Sequence, residues 1–261
     1  MSAHRVRRPV LAGNWKMNKG PKEATSFFDV FFTRYEPHDD RTVLFFPPTI
    51  SFAAAARAVA GRRDVVLGVQ NAHWEHSGAF TGEIGVGMVA EAGARFLLIG
   101  HSERRHIFGE TDEQVGRKTA AALAAGLIPL VCVGETLEQR RAGQLTEVLL
   151  RQLDAASARL SAAAASVLVI AYEPVWAIGT GVNATPADAA EAHRIVRQRL
   201  AHHYGRSSAD AIPILYGGSV KPENAGELLA ADGVDGLLVG GASLDPQSFA
   251  RIASTRIAAN A

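Results

Sequence analysis

The chain has almost no cysteine. Cys132 is the only one in 261 residues, so an intramolecular disulfide is excluded. Its apolar setting, "LIPLVCVG", makes it a small core residue rather than a nucleophile. An excess of charge of one sign is missing too: 27 Lys and Arg stand against 26 Asp and Glu, for a net charge of +1. Apart from a short basic start at Arg5, Arg7 and Arg8, the basic residues are scattered. A nucleic-acid surface needs a concentrated basic stripe, so no nucleic-acid partner is expected. No apolar run approaches the roughly 20 residues of a membrane helix, and "MSAHRVRRPV" lacks the apolar centre of a secretion signal. The expected compartment is the cytoplasm, with no membrane partner. Metal-ligand spacing is absent as well. Neither "HWEH", from His73 to His76, nor "HSERRH", from His101, matches a helical i, i+4 pair or a zinc signature. No metal is expected.

What is present is a repeated alternation of element types. Short runs rich in Val, Ile and Leu, most without alternating polarity, read as parallel strands buried on both faces. They are "VLAGNW" (10–15), "TVLFF" (42–46), "VVLGVQ" (65–70), "FLLIG" (96–100), "IPLVCVG" (128–134), "VLVIAYE" (167–173), "PILYGG" (213–218) and "GLLVGG" (236–241). Amphipathic segments follow them, predicting helices over 22–35, 51–60, 86–92, 113–125, 146–160, 186–204, 222–230 and 246–257. Pro186 and Pro222 are placed in first helical turns, where the missing N–H is no loss. Eight such units in one chain of this length predict a closed parallel (β/α)8 barrel, one domain over 1–261. A doubly wound open sheet is the alternative, but "LAGNWKMNKG" lacks its glycine spacing.

In such a barrel, chemistry gathers at the C-terminal ends of the strands. Those ends carry Asn14 and Lys16, Gln70 and Asn71, His101, Glu135, Glu173, then Tyr216 with Gly217, Gly218 and Ser219, and finally Gly240 and Gly241. Singly, Lys16 reads as a surface charge, His101 as a structural histidine and Glu173 as an ion-pair partner. Gathered at one mouth they favour function, because buried unpaired charge is too costly to accumulate. The glycine pairs after strands seven and eight fit a backbone cradle for phosphate. Ligand-free tight turns are the bland alternative.

Seven stretches carry a resemblance to the triosephosphate isomerase family: "AGNWKMN" (12–18), "GAFTGE" (78–83), "IGHSERR" (99–105), "CVGETLEQRRAG" (132–143), "AYEPVWAIGTG" (171–181), "YGGSV" (216–220) and "VGGASL" (239–244). They follow the family's order over nearly the whole chain. The resemblance implies interconversion of dihydroxyacetone phosphate and glyceraldehyde 3-phosphate, a step of glycolysis and gluconeogenesis, with no cofactor. It implies Glu173 as base, His101 as neutral electrophile, Asn14 and Lys16 as substrate contacts and Glu103 as a supporting carboxylate. It also implies backbone contacts to phosphate at Gly179, Ser219, Gly240 and Gly241. A helix beginning at Ser102 would itself disfavour a positive charge on His101.

A lid is expected over Pro174, Val175, Trp176, Ala177, Ile178, Gly179, Thr180 and Gly181. An enediolate beside a phosphate can expel that phosphate, so water must be excluded while the base works. The resembled family continues after "GTG" with lysine, whereas this chain has Val182-Asn183-Ala184. The hinge is therefore unusual. The resemblance also implies a homodimer, with Thr81 near the tip of the long 71–85 loop and Met17 among its contacts. Two other functions are weighed: a related isomerase for a longer ketose phosphate such as erythrulose phosphate, and a phosphate-binding barrel without catalysis. "AIGTG" and "YGGSV" show no enlargement for the first, and binding alone would not need Glu173, His101 and Lys16 together.

Overall fold

The computed structural model describes residues 6–157, 160–178 and 184–256. Eight parallel strands pair in sequence order and close on themselves. They are β1 (Val10–Asn14), β2 (Thr42–Phe46), β3 (Val65–Val69), β4 (Phe96–Ile99), β5 (Ile128–Val133), β6 (Val169–Tyr172), β7 (Ile214–Tyr216) and β8 (Gly236–Val239). The barrel expectation is met, and the open sheet is not formed, since β1 pairs with β8.

Side-chain parity sorts the core. Successive strand residues point to opposite faces, and the inward set is Val10, Ala12, Leu44, Phe46, Phe96, Leu98, Leu130, Cys132, Val169, Ala171, Leu215 and Leu238. Cys132 is thus barrel filling, as its apolar run implied, and burial pushes its thiol pKa well up. The opposite parity, including Leu11, Val43, Phe45 and Leu67, packs against the helices in a second, larger cluster. There Trp15, Phe27, Phe28, Phe31 and Phe45 meet largely edge to face, with ring centroids 4.8 to 5.8 Å apart for the Trp15 pairs. Such pairing adds roughly 0.5–1.5 kcal/mol per contact beyond area burial.

The surrounding helices are α1 (Pro21–Phe31), α2 (Thr49–Ala58), α3 (Val86–Glu91), α4 (Ser102–His106), α5 (Asp112–Ala124), α6 (Leu137–Arg141), α7 (Leu145–Ser157), α8 (Ala162–Ala165), α9 (Pro186–Tyr204), α10 (Arg206–Ala211), α11 (Ala225–Ala230) and α12 (Pro246–Ala253). Pro21, Pro186 and Pro246 each open a helix. Pro222 does not, which corrects the expected helix over 222–230. Lys221 N–H donates to Asn224 Oδ1 at 2.8 Å and Asn224 Nδ2 donates to the Ser219 carbonyl at 3.1 Å, holding a turn until Ala225. The short helices α6, α8 and α10 were not anticipated. For α6 the signal was in the sequence: Thr136 and Gln139 form a capping box, the S/T-x-x-E/Q pattern that marks a helix start.

One buried group makes the fold sensitive to acid. His193, on α9, is almost fully buried, its Nδ1 lies 2.9 Å from the Gly233 carbonyl, and its Nε2 has no partner. Burial lowers its pKa from 6.5 to about 4, against opposing help from that carbonyl and Asp235. The unfolded chain therefore binds this proton more readily between those values. The contribution is fully present above the unfolded value and is lost as pH falls through the folded one, about 3 kcal/mol in total. Urea unfolding at pH 7.5 and pH 5 is expected to reveal most of this loss, and His193→Gln should flatten the slope. His106, more exposed and also shifted down, acts in the same direction. His101, shifted up, loses its contribution only as pH rises. An unchanged slope in His193→Gln would sink the assignment.

Candidate active site

Strand parity brings the acid to the mouth. On β1 the inward series Val10, Ala12 continues to Asn14, and on β6 the series Val169, Ala171 continues to Glu173. The acid that looks misplaced at the end of an apolar run is the last inward position of its strand. It is buried and ionised there, with Glu173 Oε2 accepting from Ser102 N–H at 2.8 Å and Oε1 lying 3.0 Å from His101 Nε2. Its backbone N–H is tied to the Val133 carbonyl at 2.8 Å. Behind it the wall must be bare, for an added Cβ at Gly134 would overlap the Glu173 carbonyl oxygen.

His101 reaches the same point by another route. Parity would turn it outward, but Gly100 has φ +69°, a left-handed conformation that glycine adopts without strain. The turn delivers His101 to the N-cap of α4, where its Nδ1 accepts from Glu103 N–H at 3.3 Å. An accepting Nδ1 leaves the ring proton of a neutral imidazole on Nε2, facing Glu173. Burial lowers the pKa of the imidazole, but the adjacent Glu173 carboxylate outweighs it and holds it above 6.5 in this contact. Glu173 moves the other way: burial raises its pKa, yet His101, Ser102 N–H and Lys16 together bring it below its ordinary value of 4.5.

The first loop supplies the cation. Lys16 has φ +52°, a left-handed backbone that costs a non-glycine residue and persists only when held. Asn14 Oδ1 accepts from its N–H at 3.0 Å, and Gln70 Nε2 donates to its carbonyl at 2.9 Å. The Lys16 ammonium then pairs with Glu103 at 2.8 Å. A Cβ on Gly240 would sit 3.6 Å from Lys16 Cε, so the cation lies against the glycine turn.

Asn14, Lys16, His101 and Glu173 face one cavity of about 540 Å³ that also touches Ile178, Gly217, Gly218, Ser219, Gly240 and Gly241. Gly217 N–H bonds the Tyr172 carbonyl at 2.7 Å, and an added Cβ there would meet Glu173 Cγ at 3.0 Å. The glycines let the strand-seven turn pass close beside the acid. Thus Asn14, Lys16, His101, Glu103, Glu173, Ser219, Gly240 and Gly241 are brought together as the sequence suggests, with Glu103 at the Lys16 side. Gly179, Thr180 and Gly181, with the unusual Val182 and Asn183, lie outside the described residues.

The triosephosphate isomerase family profile matches residues 9–256. The chain belongs to the triosephosphate isomerase family. A triosephosphate isomerase of Solibacter usitatus is 49% identical over 247 residues, which cover 95% of this chain and 99% of that protein. Another, from Symbiobacterium thermophilum, is 48% identical over 98% of this chain and 100% of its own length. A crystal structure of triosephosphate isomerase from Bartonella henselae superposes with a TM-score of 0.83 at 40% identity, covering 94% of this chain and 98% of that one.

In this member of the triosephosphate isomerase family the described part of the segment expected to be a lid, 174–178, rests against the barrel wall. Val175–Ala177 forms a single 3-10 turn, Ala177 is buried, and Val175 N–H donates to the Glu135 carbonyl at 3.1 Å. Trp176 Nε1 donates to Glu135 Oε1 at 2.7 Å, and Tyr172 Oη donates to the same atom at 3.1 Å. From the sequence Glu135 stands at a strand end, with nothing to give it a role. Burial raises its pKa, while its Trp176 and Tyr172 bonds and Arg140 oppose the shift. Its place next to "TLEQRR" is legible, but nothing local ties it to a tryptophan 41 residues on. Gln70 was likewise seen only as a strand end. The "HWEH" histidine His73 stacks on Trp74 and packs on Phe80, with centroids 4.2 Å away in both cases.

Proposed function

We infer that the chain interconverts dihydroxyacetone phosphate and D-glyceraldehyde 3-phosphate through an enediolate. The observation that carries this is the convergence of an ionised buried carboxylate, an imidazole Nε2 donor and a lysine ammonium beside two glycine turns. Moving a carbonyl between neighbouring carbons requires a base at a carbon-bound proton and donors at the developing oxyanion. Glu173 is the base. In the resting contact it is spent on Ser102 N–H and His101, so it leaves both to reach the substrate carbon. Its departure removes the charge that supports a proton on His101, and burial with the start of α4 then keeps that imidazole neutral. The Nε2–H so released polarises the carbonyl, with Asn14 and Lys16 assisting. The proton returns to the same substrate, so the reaction needs no cofactor.

Ser219, Gly240 and Gly241, with Gly179 from the lid, take the phosphate through backbone N–H groups. The docked Val175 and Trp176 belong to the lid's open position, held by Glu135 until phosphate binding offsets the loss of those bonds. The reading takes 1–261 as a single catalytic domain acting in the cytoplasm. Among the described residues no helix is long and apolar enough to cross a membrane.

Assembly is proposed as a homodimer. Met17 is 96% exposed, and Met88, Ile107 and Phe108 are also largely exposed apolar side chains. A second cavity, of about 300 Å³, lies between Met17, Gly82, Glu83 and Phe108 and reaches Lys16 and His101. The 71–85 loop is pinned at its base by the His73–Gly85 bridge and leaves Thr81 exposed, a shape suited to entering the partner's cavity. Sedimentation should give twice the chain mass, and Phe108→Glu should yield monomers with depressed turnover. A fully active wild-type monomer would overturn the dimer reading.

The decisive assay follows glyceraldehyde 3-phosphate and erythrulose phosphate separately, with no metal or cofactor added. Turnover of the triose is expected. An inactive triose reaction with an active tetrulose reaction would replace the reading with that of the longer-substrate isomerase.

A further inference from the structure

We propose that the end of the barrel opposite the catalytic mouth holds a second ligand site, which takes a small organic molecule bearing a multivalent oxyanion. The site is a cavity of about 540 Å³, the same volume as the catalytic one and within the range of small-molecule sites. Its floor is Val66, Phe96 and Ile128, residues at the starts of β3, β4 and β5, with Val6 beside them. Strands of this length separate the two ends by roughly 15 Å, so the cavities share no residue and no wall.

The lining has four arginines, Arg7, Arg41, Arg63 and Arg95, with His38, against two carboxylates, Asp39 and Asp64. Their engagements are unequal. Asp64 is held by Arg62, Nε to Oδ1 at 2.9 Å and a terminal nitrogen to Oδ2 at 2.7 Å. Asp39 faces Arg7. Arg41 is buried and engaged, with Asp40 on one side and the Ala253 and Thr255 carbonyls at 2.8 and 2.9 Å on the other. Arg63 and Arg95 make no side-chain hydrogen bond or ion pair to any described residue. Arg95 is half-buried, and its backbone is locked between Leu67 and Ile128 by bonds of 2.9 and 2.8 Å. Asp64 is matched by Arg62 and Asp39 lies fully exposed, 3.9 Å from Arg7, so the guanidinium forks of exposed Arg63 and half-buried Arg95 remain beside an apolar floor. Such forks fit oxyanions in bidentate geometry, and the floor accepts the carbon skeleton. A phosphate ester and a polycarboxylate share this chemistry.

The test is calorimetric titration of the full-length protein with pyrophosphate and with citrate, the catalytic phosphate subsite first saturated with glycerol 3-phosphate. Saturable binding of at least one probe is expected, weakened at least tenfold in Arg63→Gln/Arg95→Gln and by half a molar unit of salt. The same double variant should keep its triose turnover and thermal midpoint, because neither side chain lines the catalytic mouth or makes a hydrogen bond or ion pair to a described residue, and the Arg95 backbone bonds are kept. Tighter pyrophosphate binding assigns the site to phosphate esters, and tighter citrate binding to carboxylates. No saturable binding of either probe, or binding that the double variant retains, overturns the proposal.

Discussion

Glu173→Gln is expected to lower kcat by about 10²–10⁴-fold, the range over which a positioned general base contributes, while the inhibition constant of glycerol 3-phosphate changes only a few-fold. Glutamine keeps the shape of the side chain and one acceptor for Ser102 N–H. It cannot take up a proton from carbon. It also cannot accept from both Ser102 N–H and His101 Nε2–H, as the carboxylate does at 2.8 and 3.0 Å. One buried donor is then left unsatisfied, at a cost of about 1–3 kcal/mol of stability. Glu173→Asp separates position from chemistry. It keeps the charge but withdraws it by one methylene, and a displacement of that size costs on the order of 10²-fold in turnover. Steady-state kinetics in both directions with an inhibition series decide the matter. Should Glu173→Gln retain near-normal kcat, the base is another residue.

His101→Asn is expected to reduce kcat by about 10²–10³-fold, as the loss of one preorganised oxyanion donor does. Asparagine is chosen because His101 has two separate jobs. Its Nδ1 caps α4 through Glu103 N–H, and its Nε2 faces the reacting position. Asparagine is itself a good cap and preserves the first job, so the helix should form. Its amide stops short of the second position. The KM is expected to stay within a few-fold, since Lys16 and the glycine turns proposed to hold the phosphate are untouched. Turnover close to that of the wild type would mean that Asn14 and Lys16 suffice to polarise the carbonyl.

Legibility in the sequence followed the range of the interaction. The eight strands were visible because burial on both faces is a property of a few consecutive residues, and the boundaries of β2 coincide with the expected run. Helix starts were visible where a local cap marks them, as with Thr185, Pro186 and Asp188 at the start of α9. Pro222 misled because a proline that opens a helix and one that sits in the preceding turn look alike locally. The competing Asn224 bonds, to Lys221 N–H and the Ser219 carbonyl, decided it.

The sequence by itself determined the barrel and the identity of the chemical groups near its strand ends, because strand periodicity carries Asn14 and Glu173 to the inward face without reference to any other part of the chain. The tertiary structure alone decided which of those groups touch. His101 meets Glu173 because β4 and β6 close into one ring and Gly100 turns the chain between them. Glu135 holds Trp176 because β5 and β6 lie in register, Val133 opposite Tyr172. Arg63 and Arg95 line one cavity only because β3 and β4 are neighbours in the barrel. Periodicity is set by the geometry of a few peptide units; contact between strand ends is set by closure of the whole sheet.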